Sequence, residues 1–199
     1  LFEAGIVHTY WQSAIAFATG IAPGALGTAH PLNAPYQAFQ TNDGWITLGA
    51  ANQANWLRLV EALGAPELAS DLRFADNASR MTNRKALEAA LRPYFARRSS
   101  ADWLARLEAA GVPAGPVLDI NQMHRDAQTL ARGMVVEVRH PKAGAVKTLG
   151  LPVKFSATPG GVARPAPTLG QHSREVLAEY GFSDAEIERF IADGAVVAG

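Results

Sequence analysis

Residues 35–49 read Pro35-Tyr-Gln-Ala-Phe-Gln-Thr-Asn-Asp-Gly-Trp-Ile-Thr-Leu-Gly49. Tyr36 and Phe39 precede a polar triplet, and Trp45-Ile-Thr-Leu48 follows it as a short apolar run. Asn42-Asp-Gly44 consists of residue types that accept the tight, partly left-handed backbone of a reversal, so the stretch predicts two strands joined as a hairpin. Directly beyond it, Asn52 to Leu63 sets Trp56, Leu59, Val60 and Leu63 on one face at helical spacing, with Gly64 where a helix passes into left-handed backbone. A hairpin followed by an amphipathic helix makes the chain α/β.

Further along, Leu87, Ala90, Leu91, Tyr94 and Phe95 mark a second helical face, which Pro93 is expected to kink or divide because its ring opposes the carbonyl four residues back. Ser99 or Ser100 caps a third helix carrying Trp103, Leu104 and Leu107 inward, and Gly111 ends it before a rigid turn, Val112-Pro-Ala-Gly-Pro-Val117. Asp119 to Ala131 reads as one short helix. Val135, Val136 and Val138 begin a strand region that continues from Val146 to Phe155, with Pro152 at an edge or bulge. After an extended Pro/Gly linker, 159–167, a helix pair follows over Gln171 to Tyr180 and Ser183 to Ala192, the second opened by the capping box Ser183-Asp-Ala-Glu186.

Toward the N-terminus, Leu1 to Thr19 reads as a helix in which Phe2, Ile6, Tyr10, Ser13 and Phe17 recur at spacings of three and four. Gly20 to Asn33 is then rich in Gly, Pro and Ala, and Pro23, Gly24, Gly27 and Pro31 exclude a regular helix. The stretch is a linker or an active-site loop. Its glycines at 20, 24 and 27 lack the spacing and the following Gly-Lys-Ser/Thr of a phosphate loop, but they let backbone approach a bound molecule closely.

The 199 residues are 48% hydrophobic, and 18 Lys and Arg balance 18 Asp and Glu. A chain of this size buries roughly 70% of its unfolded surface and can hold a core without disulfides or a structural metal. Charge balance argues against nucleic acid or an acidic membrane as a partner. The most apolar stretch, Ala14 to Gly27, is interrupted by Thr19, Gly20, Pro23 and Gly24 and is too short to span a bilayer. There is no cysteine. Disulfides, thiolate metal sites and cysteine nucleophiles are thereby excluded, a reducing compartment is allowed, and the cytoplasm is the default reading. With neither an initiator Met nor a basic leader, Leu1 reads as an internal residue of a longer protein.

Histidines 8, 30, 124, 140 and 172 include no i,i+4 pair, so none is assigned to a metal. His172, Ser173 and Glu175 have the residue types of a triad, but neighbours on a helix project about 100° apart, and the three read as a solvated helix start. Arg97-Arg98 and the cluster of Arg80, Arg84 and Lys85 are candidates for phosphate binding, yet interspersed acids make solvated helix faces the simpler expectation. Trp45, Trp56 and Trp103 read as core.

The run Gly27-Thr-Ala-His-Pro-Leu-Asn-Ala-Pro-Tyr-Gln-Ala-Phe-Gln-Thr-Asn-Asp-Gly44 resembles the G-x-x-H-P-x-x-x-P-Y-x-x-F-x-T-x-D-G segment of the class III CoA-transferases. Gly111-Val-Pro-Ala-Gly-Pro-Val117, Leu151-Pro-Val-Lys-Phe-Ser156 and Leu169-Gly-Gln-His-Ser-Arg-Glu-Val-Leu177 are similar to family segments in the same order, and Leu1-Phe-Glu-Ala4 resembles the family's strand-to-helix junction. The resemblance covers essentially the whole chain.

It implies transfer of coenzyme A between carboxylic acids through mixed anhydrides and a thioester on an enzyme aspartate, with CoA thioesters as substrates and no resident cofactor. The nucleophilic aspartate would precede Leu1, so no residue here is assigned as catalytic. The implied fold is a small mixed α/β domain, residues 25–130, entered through a helix and linker, 1–24, and followed by a C-terminal segment, 131–199. The strands and helices of that last segment complete a Rossmann-like large domain largely absent from this chain. Gly27, His30, Pro31, Leu32, Asn33 and Tyr36 match the loop over the reacting acyl group, which in some members is a run of glycines. Family members are interlocked homodimers, and the same is expected here. The resemblance also reaches acyl-CoA racemases and epimerases of the superfamily, which carry a glutamate where this chain has Asn52; a non-catalytic dimerisation or lid module is the third reading.

Overall fold

The computed structural model describes residues 1–199, a mixed α/β chain whose contacts cluster into two units, Leu1–Val117 and Leu118–Gly199. In chain order, the first unit comprises α1 (Phe2–Val7), α2 (Tyr10–Thr19), β1 (Tyr36–Gln40), β2 (Trp45–Gly49), α3 (Gln53–Leu63), α4 (Pro66–Ser70), a 3₁₀ turn (Leu72–Phe74), α5 (Asn77–Thr82), α6 (Arg84–Phe95), α7 (Ser100–Ala109) and β3 (Ala114–Pro116). The second comprises α8 (Ile120–Met123), α9 (Ala127–Ala131), β4 (Val135–His140), β5 (Gly144–Leu149), α10 (Ser173–Glu179) and α11 (Asp184–Ala192).

The hairpin forms as its sequence requires. β1 and β2 pair antiparallel with Tyr36 opposite Gly49 and Gln40 opposite Trp45. Its turn is tied to the start of α7, since the Asp43 carboxylate accepts from the Ser100 amide at 2.8 Å and from the Thr41 hydroxyl at 3.0 Å. Strand alternation buries Ile46 and Leu48 and turns Trp45 and Thr47 outward. Trp45 is therefore not core; only Trp56 and Trp103 are. α3 begins where Asn52 accepts from the Asn55 amide at 2.8 Å and ends at Gly64, whose φ of +66° suits glycine.

Several elements depart from expectation. The N-terminal helix is broken after Val7, where the Thr9 hydroxyl donates to the Ile6 carbonyl at 2.7 Å and competes with the helical ladder. α6 runs through Pro93, which sits in the last turn and costs the helix only one amide donor. The expected rigid turn after Gly111 contains β3, which pairs antiparallel with β2, Ile46 facing Pro116. Asp126 caps a new helix by accepting from Gln128 and Thr129, which divides 119–131 into α8 and α9. β5 stops at Leu149, before Gly150 and Pro152.

In the three-stranded sheet, order β1-β2-β3, α6 packs on β1 and α7 on β2 and β3, and α3 packs against α7 to extend the same core. Phe39 stacks on Phe95 at 4.7 Å, Phe95 meets Trp103 edge-on at 5.3 Å, and the Trp103 indole donates to the Phe95 carbonyl at 2.8 Å. In the second unit, β4 and β5 form a separate two-stranded ladder from Val135 opposite Leu149 to His140 opposite Gly144. The capping box of Ser183 and Glu186 opens α11, and Phe182 packs edge-on against Phe190 at 5.5 Å.

Candidate functional site

The loop Gly27 to Tyr36 leaves the Gly/Pro-rich connection and enters β1 through a buried pair, Ala34 and Pro35, joined by a cis peptide bond. Gly27 has φ of +62°, with no heavy atom within 4 Å of where a Cβ would stand. Thr28 accepts from the Ala38 amide at 3.1 Å, and the His30 amide donates to the Tyr36 carbonyl at 2.8 Å, so the loop doubles back along β1. The His30 ring lies parallel to that of Tyr36 at 4.9 Å and meets Trp11 edge-on at 5.9 Å. Its Nδ1 accepts from the Leu32 backbone amide at 3.1 Å, with the Asn33 side-chain Nδ2 at 3.4 Å. Leu32 and Tyr36 are exposed, whereas His30, Pro31 and Asn33 are half-buried. His30, Leu32, Asn33 and Tyr36 thus form one cluster, Pro31 lies within its turn, and Gly27 stands at the loop's entry.

Two residues outside the loop hold its far end. Asn77, first residue of α5, donates through Nδ2 to the Leu32 carbonyl at 2.9 Å and accepts through Oδ1 from the Ala34 amide at 3.1 Å. Arg80, one turn later, is fully buried, which overturns its expected place on a solvated face. Its Nε donates to the Ala34 carbonyl at 2.7 Å, and Nη1 to Gln53 Oε1 at 2.9 Å and to the Phe74 carbonyl at 3.0 Å. The guanidinium carbon lies 5.2 Å over the Trp56 ring. Nη2 is buried without a protein partner. Burial lowers the pKa of this guanidinium, and Asp76 opposes the shift. Asn77 is absent from the sequence-derived candidates and Arg80 enters them only as a possible phosphate ligand; the one legible sign of their joint role is the i,i+3 spacing that puts them on one helix face.

The other candidates disperse. Arg98 pairs with Asp102 at 3.0 Å, and Arg97 lies 4.5 Å over the Tyr94 ring. His172 and Glu175 meet at 2.8 Å at the exposed start of α10, as a solvated helix start requires. Asp43, Asp76, Asp119 and Asp126 use their carboxylates on backbone amides at turns or helix starts, while Asp71 and Asp102 pair with arginines. Asp43 and Asp76 are held below the ordinary carboxylate range, chiefly by the amides of Ser100 and Ser79.

The model of CoA-transferase family III matches residues 1–173, and the chain belongs to that family. It is 36% identical over 171 residues to the succinyl-CoA:glutarate CoA-transferase of Mus musculus, an overlap covering 85% of this chain and 39% of that protein. It is 38% identical over 170 residues to the acetyl-CoA:oxalate CoA-transferase of Acetobacter aceti, covering 85% and 42% respectively. A crystal structure of a CaiB/BaiF family protein from Brucella suis superposes with a TM-score of 0.76 at 34% identity, over 86% of this chain and 44% of that one. The chain therefore spans about two fifths of the length of the curated relatives it matches. None of its helices is long and apolar enough to cross a membrane.

Proposed function

We propose that residues 1–199 are the loop-bearing portion of an enzyme that moves coenzyme A from an acyl-CoA to a carboxylic acid. The observation that carries this is the family match across residues 1–173. In this reading an aspartate outside these residues attacks the acyl carbonyl and expels the CoA thiolate, forming an acyl-aspartyl anhydride. The thiolate then attacks the aspartyl carbonyl, releasing the first acid and leaving an aspartyl-CoA thioester, which the acceptor carboxylate opens by the reverse sequence. Residues 1–24 leave a large domain, 25–130 form the small domain, and 131–199 return to complete the large domain. Gly27, His30, Pro31, Leu32, Asn33 and Tyr36 shape the surface over the acyl group and keep water from the thioester. The enzyme works as an interlocked homodimer in the cytoplasm. The exposed apolar side chains of α1 and α2, among them Phe2, Val7, Tyr10 and Phe17, supply surface for such an interface.

Transfer is preferred to racemisation because Asn52, at the position of the racemase glutamate, is the N-cap of α3, where its side-chain oxygen accepts from the Asn55 amide. An amide cannot serve as a general base, and this one already has a structural task. Exchange of isotope-labelled CoA between acyl-CoA and free acid tests the reading, run on residues 1–199 and on the natural polypeptide containing them. Turnover by the longer protein alone is expected. Equal turnover by both would place the nucleophile inside this chain, and no turnover by either would favour a dimerisation or lid module. In the active protein, Gly27→Val forces a β-branched residue into left-handed backbone, at a cost of about 1–3 kcal/mol. Hydrolysis is expected to rise relative to transfer, and an unchanged ratio would remove the loop from the reacting centre.

A further inference from the structure

Asn77 replaces a strand partner with a single side chain. Its amide group takes one carbonyl and one amide two residues apart on the loop, Leu32 and Ala34, as a neighbouring backbone peptide would. Just beyond them, Arg80 donates to the Ala34 carbonyl. In the peptide unit just before this held segment, the Leu32 amide donates to His30 Nδ1 at 3.1 Å. An imidazole nitrogen that accepts an N–H bond carries no proton, so the neutral ring carries its proton on Nε2. No protein group accepts from Nε2, although the ring is fixed by Tyr36 on its face and Trp11 at its edge. The result is an N–H donor of set orientation at the centre of the candidate loop, beside a segment held by a helix from another part of the sequence.

We propose that Asn77 is a positioning residue that fixes the backbone of Leu32 from its carbonyl side, and so helps its amide hold His30 with Nδ1 as acceptor and Nε2–H presented to an oxygen of the acyl or carboxylate ligand. This rests on the proposed function for the ligand's identity, but not for the positioning itself. Asn77→Asp is the discriminating substitution. It retains an acceptor for the Ala34 amide, replaces the donor to the Leu32 carbonyl with a second acceptor, and leaves α5 with an acidic first turn that favours the helix. Arg80, by contrast, is too deeply buried for its loss to be read locally.

The experiment uses the natural polypeptide containing residues 1–199, labelled with ¹⁵N, with the His30 signals assigned by their disappearance in His30→Gln. A scalar coupling across the hydrogen bond between the Leu32 amide nitrogen and His30 Nδ1 is expected in the parent protein and absent in Asn77→Asp, while the melting temperatures remain alike. No coupling in the parent, or an undiminished one in Asn77→Asp, overturns the positioning. The ligand contact has a separate readout in the KM for the acceptor acid. Asn77→Asp should raise it roughly fivefold, as expected for one hydrogen bond, with kcat less affected. In a His30→Gln background the same change should have little further effect, because both act through one donor. Additive losses would overturn the route through His30 even where the coupling is as expected. Loss of the coupling in Asn77→Asp with no change in KM would retain the positioning and refute the ligand contact.

Discussion

The first unit buries a continuous cluster from Ala34 to Val112, with Ile46, Trp56, Phe74, Leu91 and Phe95 fully enclosed, whereas Ile187 is the one buried large apolar side chain of the second. The sheets show the same contrast. β2 alternates outward and buried residues, while every residue of β5 is exposed, Val146 and Leu149 included. Both hairpins have complete backbone ladders, so hydrogen bonding does not distinguish them. A ladder without a buried face is marginal in water, and the difference locates the stability of these residues in side-chain packing around β2.

The contrast is most open to refutation in amide exchange. The amides of Ile46 and Leu48 should open only with the first unit as a whole, and those of β4 should exchange faster by orders of magnitude. Equal protection would abolish the distinction. Phe74→Ala should cost about 3–5 kcal/mol in urea unfolding followed by tryptophan fluorescence, because the ring is enclosed against Trp56. Acid should loosen the first unit next. Asp43 and Asp76 have lowered pKa values in the fold, so the stability they add is complete above the ordinary value of 3.8 and is lost as the pH falls through the lowered ones. Circular dichroism between pH 5 and pH 2 should show that loss, reduced in Asp43→Asn. The smallest effect belongs to Val146→Ser in β5 of residues 1–199, within about 0.5 kcal/mol of the parent. A large loss there would show that the strand has a packed face after all.

What could be read from sequence was what neighbours in sequence decide. The Asn42-Asp-Gly44 reversal, the stripe Trp56, Leu59, Val60, Leu63 and the Ser183 capping box each depend on spacing and local hydrogen bonds, and each is present. Trp45 was misread because an apolar run hides a period of two when its first residue faces outward. Arg80 was misread for a deeper reason. Its acceptors are Ala34, Gln53 and Phe74, and nothing in the residues around a guanidinium announces carbonyls contributed from elsewhere in the chain. The same limit applies to the candidate loop, whose residues were visible as a motif but whose anchoring by Asn77 exists only after α5 has packed. β3 escaped notice because three residues that follow one proline and end in another carry no strand pattern of their own.

The return of the loop along β1 has a further effect. A strand at the margin of a sheet exposes unpaired amides and carbonyls that another chain can join. β1 is such a margin, but the Thr28 hydroxyl occupies the Ala38 amide and the His30 amide occupies the Tyr36 carbonyl. At the opposite margin, β3 ends in Pro116, which has no amide to offer. The loop that carries the candidate site is thus also a guard against association. Without Thr28 and His30 in place, the Ala38 amide and the Tyr36 carbonyl would be open to strand addition.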